Sequence, residues 1–108
     1  MQHMKVQQLA EHLWRCVQAA RDQSPLAARV RRIEIVEGRD STDDPALYIW
    51  VLAADDVQSS EMTLKTIRPI EEAIWKEIRM HDEDRWPYIH FQRESEYDNM
   101  VRVRGIDR

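Results

Sequence analysis

The chain has 108 residues, 43% hydrophobic and 33% charged, with 16 basic and 20 acidic side chains and a net charge of −4. That composition excludes a disordered chain and describes one soluble domain with a single core. The acidic balance removes any general attraction for phosphate backbones, and two glycines argue against glycine-rich phosphate loops.

Residues 4–22 carry Val6, Leu9, Leu13, Cys16, Val17 and Ala20 at helical spacing, with Gln7, Gln8, Glu11, Arg15 and Gln18 opposite. The spacing predicts a first helix, stopped near Asp22-Gln23-Ser24-Pro25 because proline disfavours helical geometry in the residue before it. Cys16 falls in the apolar stripe, where a free cysteine behaves as a small hydrophobe. His12 lies away from the centre of the stripe. Residues 29–37 alternate, which predicts a strand with Ile33 and Ile35 on one face and Arg32, Glu34 and Val36 on the other. The turn formers between Gly38 and Pro45 predict a hairpin loop. Residues 46–54 are apolar throughout, as expected of a central strand covered on both faces.

A second helix is predicted over 64–81, where Leu64, Ile67, Ile70, Ile74, Trp75 and Ile78 share one arc, with a bend allowed at Pro69. A third strand is predicted over 87–94, with Ile89 and Phe91 on one side and Tyr88 and His90 on the other. Residues 95–108 form a polar C-terminal tail, either a flexible segment or a short arm, with a short strand over 100–104 as its only candidate element. The order α-β-β-α-β, with an antiparallel hairpin and a right-handed crossover, gives a mixed three-stranded sheet. Both helices then pack on one face, against Ile33, Ile35, Leu47, Ile49, Val51, Ile89 and Phe91. The expected architecture is an α+β two-layer sandwich, a single domain over 1–94.

Two helices on one face leave the other open. It would carry Tyr48, Trp50, Leu52, Tyr88 and His90 beside Arg32, an aromatic surface suited to a homodimer or a protein partner. The competing expectation is that the C-terminal tail folds over this face. Exposed sheet aromatics also suit single-stranded RNA, but the supporting bases (Arg32, Arg93, Arg102, Arg104) are few, which makes nucleic acid an unfavoured partner.

The topology also gathers acids at the end where the central strand begins. Asp40, Asp43 and Asp44 come from the hairpin loop, and His81, Asp82, Glu83 and Asp84 from the helix–strand loop. The start of the first helix, with His3, lies towards the same end. Carboxylate and imidazole suit divalent cations, although the spacing matches no calcium loop and solvated turns explain the same residues. Met1-Gln2-His3 is a pattern that can bind Cu(II) or Ni(II) at a free amino terminus, or a chance occurrence. Glu71 falls within the apolar arc of the second helix. A buried carboxylate there would have a raised pKa, whereas one at the edge would reach solvent.

The chain carries no serine-hydrolase elbow, Cys-x-x-Cys, His-Glu-x-x-His or phosphate loop, so no enzyme class and no cofactor is indicated. With one cysteine, no membrane-spanning apolar run and no signal-peptide core, a cytoplasmic location is expected. The element order, with Ile89-His90-Phe91-Gln92-Arg93-Glu94 as last strand, resembles the cytoplasmic domain of cation diffusion facilitators. The resemblance covers that strand and the topology; Gln92-Arg93-Glu94 shifts the acid, and there is no membrane part. It implies metal binding and dimerisation. The leading functional expectation is a non-enzymatic interaction protein, such as an adaptor, regulatory companion or antitoxin-like partner, with a small divalent-cation-binding domain as the alternative.

Overall fold

Leu9, Leu13 and Val17 recur at helical spacing and are fully buried, which sets the face that α1 (Val6–Ala19) turns to the core. The helix tightens into a 3-10 turn over Ala20–Asp22, and a second such turn over Pro25–Arg29 begins on proline. The structure is a computed structural model, and it describes residues 4–81 and 83–104. The alternating stretch after Arg29 becomes β1 (Val30–Arg39), and the apolar run becomes β2 (Pro45–Ala53). After the crossover helix α2 (Leu64–Met80) comes β3 (Trp86–Arg93).

The sheet order is β1-β2-β3, antiparallel between β1 and β2 and parallel between β2 and β3. Ile35 pairs with Ile49 and Ile49 with Ile89, so the core-facing residues of all three strands lie in one row. They pack against α1 and α2 with Ile70, Ile74 and Ile78, which are essentially solvent-free. The α+β arrangement, with β2 central, is therefore the one expected. Among the described residues, no helix is long and apolar enough to cross a membrane.

Pro69 lies inside α2, where its missing N–H leaves the carbonyl of Lys65 without the usual helical donor. Nearby, the fully buried Ser24 hydroxyl donates to the Thr66 carbonyl at 2.6 Å, tying the 3-10 segment to the turn that the proline loosens. At the helix start, the Thr66 hydroxyl accepts from the Thr63 N–H at 3.0 Å and donates to the Glu61 carbonyl at 2.7 Å.

The tail departs from the expected strand, and it follows the competing expectation that it folds over the second sheet face. Residues 100–104 are not a strand but part of α3 (Glu94–Arg104), which lies on the sheet face opposite α1 and α2. Its Tyr97 is fully buried, with its ring 5.4 Å from that of Trp50. Arg32 of β1 donates to Glu94 at 2.8 Å, pairs with Asp98, and lies 5.7 Å from the centroid of the Tyr97 ring. Glu94 and Asp98 are four residues apart, and helical geometry puts both within reach of one guanidinium. A tertiary contact thus overrides the local strand-like pattern. The sandwich gains a partial third layer at one end of the sheet.

Candidate metal centre

Two pairs of side chains meet across the seam between α1 and α2. His12 and Cys16 are four residues apart on α1. Glu77 on α2 and His81 at its C-terminal cap are also four apart. That spacing puts each pair on one side of its helix. The apolar stripes of α1 and α2 meet in the core, and packing them brings these polar margins together just outside it.

Glu77 is the hub. Its Oε2 accepts from His81 Nε2 at 2.6 Å and lies 3.6 Å from His12 Nδ1, while the Cys16 thiol donates to Oε1 at 3.2 Å. The two imidazole centroids are 4.8 Å apart. One donor atom from each of His12, Glu77 and His81 can be chosen so that all lie within 4.8 Å of one another. The Glu77 side chain is 15% exposed, and those of His81 and His12 are 29% and 36% exposed, so the cluster is sheltered yet reachable from solvent.

Burial alone would raise the pKa of Glu77. The hydrogen bonds from Cys16 and His81, with the charge of the two imidazoles, outweigh it and hold the carboxyl below its ordinary range. Burial, then the hydrogen bond and charge of Glu77, push the Cys16 thiol up to about 12. At neutral pH, Cys16 is therefore a protonated donor rather than a reactive thiolate. Two imidazoles and a carboxylate from two rigid helices form a donor set suited to divalent ions of the zinc class.

The acidic end is assembled as the topology requires, since Ala46 pairs with Trp86 and Arg85 donates to the Met4 carbonyl at 3.3 Å. Its acids, however, have other work. Asp40 accepts from the Thr42 hydroxyl at 2.7 Å, from the backbone N–H groups of Thr42 and Asp44, and from the Tyr88 hydroxyl at 3.1 Å. These bonds, the Thr42 hydroxyl first, hold its carboxyl at about 2. Asp43 supplies the turn's positive φ of 65° and lies 3.8 Å from Arg39, and Asp44 accepts from Thr42. Glu83 is gripped by the buried Arg85, whose Nε and Nη2 each donate to it at 2.7 Å. Asp84 is exposed just before β3. Among the described residues, Asp40, Asp43, Asp44 and Asp84 are not drawn into a ligand cluster with His81, which gathers instead with His12 and Glu77. His3 and Asp82 lie outside the described residues.

The aromatic sheet face is divided. Leu52 is fully buried on it, and Trp50 and Arg32 are engaged by α3. Beyond α3, Tyr48 stacks on Tyr88 at 5.4 Å and His90 stacks on Trp50 at 4.4 Å, with His90 exposed. Arg93 donates to the Val57 carbonyl at 2.6 Å and pairs with Glu96. Glu71 is half-buried on α2, lining an open cleft with Arg68, Trp75 and Arg79.

Sequence reasoning placed His81 among possible ligands but missed its partners. The signal was present as two pairs at i,i+4, His12/Cys16 and Glu77/His81, each on the margin of an amphipathic helix. Reading it required knowing which margins meet. No family model, curated protein or solved structure matches the chain.

Proposed function

We propose that this domain binds a divalent transition-metal ion between α1 and α2, through His12, Glu77 and His81. The observation that carries the proposal is the convergence of the three donor atoms within 4.8 Å, on side chains held by two packed helices. Nitrogen donors favour zinc-class ions over magnesium or calcium, which take oxygen ligands. The ion would link the helices, so its binding energy would add to the stability of the fold. Thermal melts with Zn(II), Co(II), Mg(II) and Ca(II) test this. At about 100 times Kd, an ion bound only to the folded state contributes about 2.7 kcal/mol. The melting temperature should rise with Zn(II) or Co(II), not with Mg(II) or Ca(II), and the rise should vanish in the His12→Ala/His81→Ala variant. No rise with any ion, or an undiminished rise in that variant, overturns the proposal.

A second function is supported by the aromatic strip that α3 leaves uncovered. Tyr48, Tyr88 and His90 form a surface on which a protein partner or a second copy could sit, as in an adaptor or regulatory companion. For the second copy, the concentration dependence of the mass in solution decides: a mass that stays monomeric throughout removes the homodimer. The RNA alternative is disfavoured, because Arg32 and Arg93 are already bound within the chain.

A further inference from the structure

Three protein ligands leave a tetrahedral ion with one open position, the arrangement typical of catalytic zinc, whereas structural zinc has four. What fills the fourth position decides which kind of site this is. We infer that Cys16 is the fourth ligand, closing the site as a His-Cys-Glu-His staple between α1 and α2; the inference rests on the metal-binding proposal above.

The geometry supports it in two ways. First, the four residues form two i,i+4 pairs on helices that run antiparallel, so His12 is set against His81 and Cys16 against Glu77. Each helix then supplies two ligands, and no loop is needed. Second, the thiol already touches the central carboxylate, on the oxygen that the imidazoles do not use. With Zn–N and Zn–S bonds of about 2.0 and 2.3 Å, tetrahedral ligands lie roughly 3.3–3.8 Å apart. His12 Nδ1 is 3.6 Å from Glu77 Oε2, and Cys16 Sγ is 3.2 Å from the other oxygen, Oε1, just outside the group formed by His12, Glu77 and His81. For an ion to enter between them, the 2.6 Å hydrogen bond from His81 Nε2 and the 3.2 Å one from the Cys16 thiol both have to open.

In the metal-free chain the Glu77 carboxylate occupies the middle of the set. On binding, it moves to one corner. The His81 Nε2–H bond breaks and an Nε2–metal bond forms, the proton passing to solvent or to the ring's other nitrogen. The Cys16 S–H bond breaks, an S–metal bond forms, and the proton passes to solvent. No electrons are transferred. A thiolate ligand also narrows the choice of ion further, towards zinc, cobalt and other thiophilic metals. Such a site has no open position for substrate and serves structure or regulation rather than hydrolysis.

Co(II) titration of the full chain under reducing, oxygen-free conditions tests this by absorption. The expected result is a set of intense tetrahedral visible bands together with a near-ultraviolet sulfur-to-cobalt charge-transfer band, both bleached by Zn(II). In Cys16→Ser the charge-transfer band should disappear and affinity should fall by at least about tenfold, the scale on which even outer-shell partners act. Circular dichroism of the variant confirms that it folds. The spectrum of the unaltered chain is informative even if the variant does not fold. Visible Co(II) bands without a charge-transfer band would show that Cys16 is not a ligand, leaving the three-ligand site in place. An unchanged spectrum in Cys16→Ser would do the same. No Co(II) or Zn(II) binding at all would remove the three-ligand site along with its fourth member.

Discussion

The acidic end of the sheet and the seam between α1 and α2 make an instructive pair. The first has far more carboxylates; the donor cluster of the second is built on one, Glu77. At the acidic end the best-placed described oxygens, those of Asp40 and Glu83, are committed to their own chain. Asp40 is the hub of the hairpin turn, and Glu83 is locked to Arg85. In the seam, the single carboxylate is surrounded by side chains that are themselves metal ligands once deprotonated. Carboxylate density therefore says little about cation binding. What matters is whether neighbouring groups compete with the ion for the oxygen or share in its coordination.

The largest effect that would sharpen this contrast is at Arg85. Its side chain is 7% exposed and that of Glu83 3% exposed, so Arg85→Met removes the guanidinium that pairs with a buried carboxylate. The expected loss is about 3–5 kcal/mol in urea unfolding, with most of it recovered in the Arg85→Met/Glu83→Leu double variant. A loss below about 1 kcal/mol, the scale of an exposed pair, would mean the acidic end is not held together this way. Next comes Glu77→Gln, expected to weaken zinc binding by at least about tenfold in calorimetric titration. Equal affinity in that variant would move the ion away from the seam.

A smaller effect concerns pH. The Thr42 hydroxyl and the turn's backbone N–H groups hold the Asp40 carboxyl at about 2 in the folded chain, below its ordinary value of 3.8. Because the folded value is the lower one, its stabilisation of the turn is complete above the unfolded range and is lost as pH falls from there towards 2. Carboxyl carbon NMR should place its midpoint near that value; a midpoint at 3.8 or above would show that the turn bonds are not made. The smallest expected effect is none. Asp43→Asn combined with Asp44→Asn should leave zinc affinity unchanged, and any clear weakening would return the acidic loop to the site.

Much of the architecture was legible because burial and local periodicity agree. The stripes of Leu9, Leu13 and Val17 and of Ile70, Ile74 and Ile78 are the buried ones, and the apolar run of β2 is central. α3 was not legible, because Val101 and Val103 alternate with arginines as in a strand, while the helix is held by Arg32 from far along the chain. The site was half legible. His81 stands out as a donor at a helix end, but composition groups it with the adjacent loop acids, and packing groups it with His12 and Glu77. Nothing local marks which margins of two amphipathic helices will face each other.

α3 is fastened mainly by the Tyr97 ring and the Arg32 ion pairs, a narrow attachment beside the broad contact of α1 and α2 with the sheet. An element joined in this way is expected to open at a smaller free-energy cost than global unfolding. Half-exposed ion pairs are screened by salt, so ionic strength shifts that opening equilibrium. Such an opening would bare the side of Trp50 that Tyr97 covers and extend the aromatic strip along the sheet. The area of that surface would then be set by how often α3 is docked.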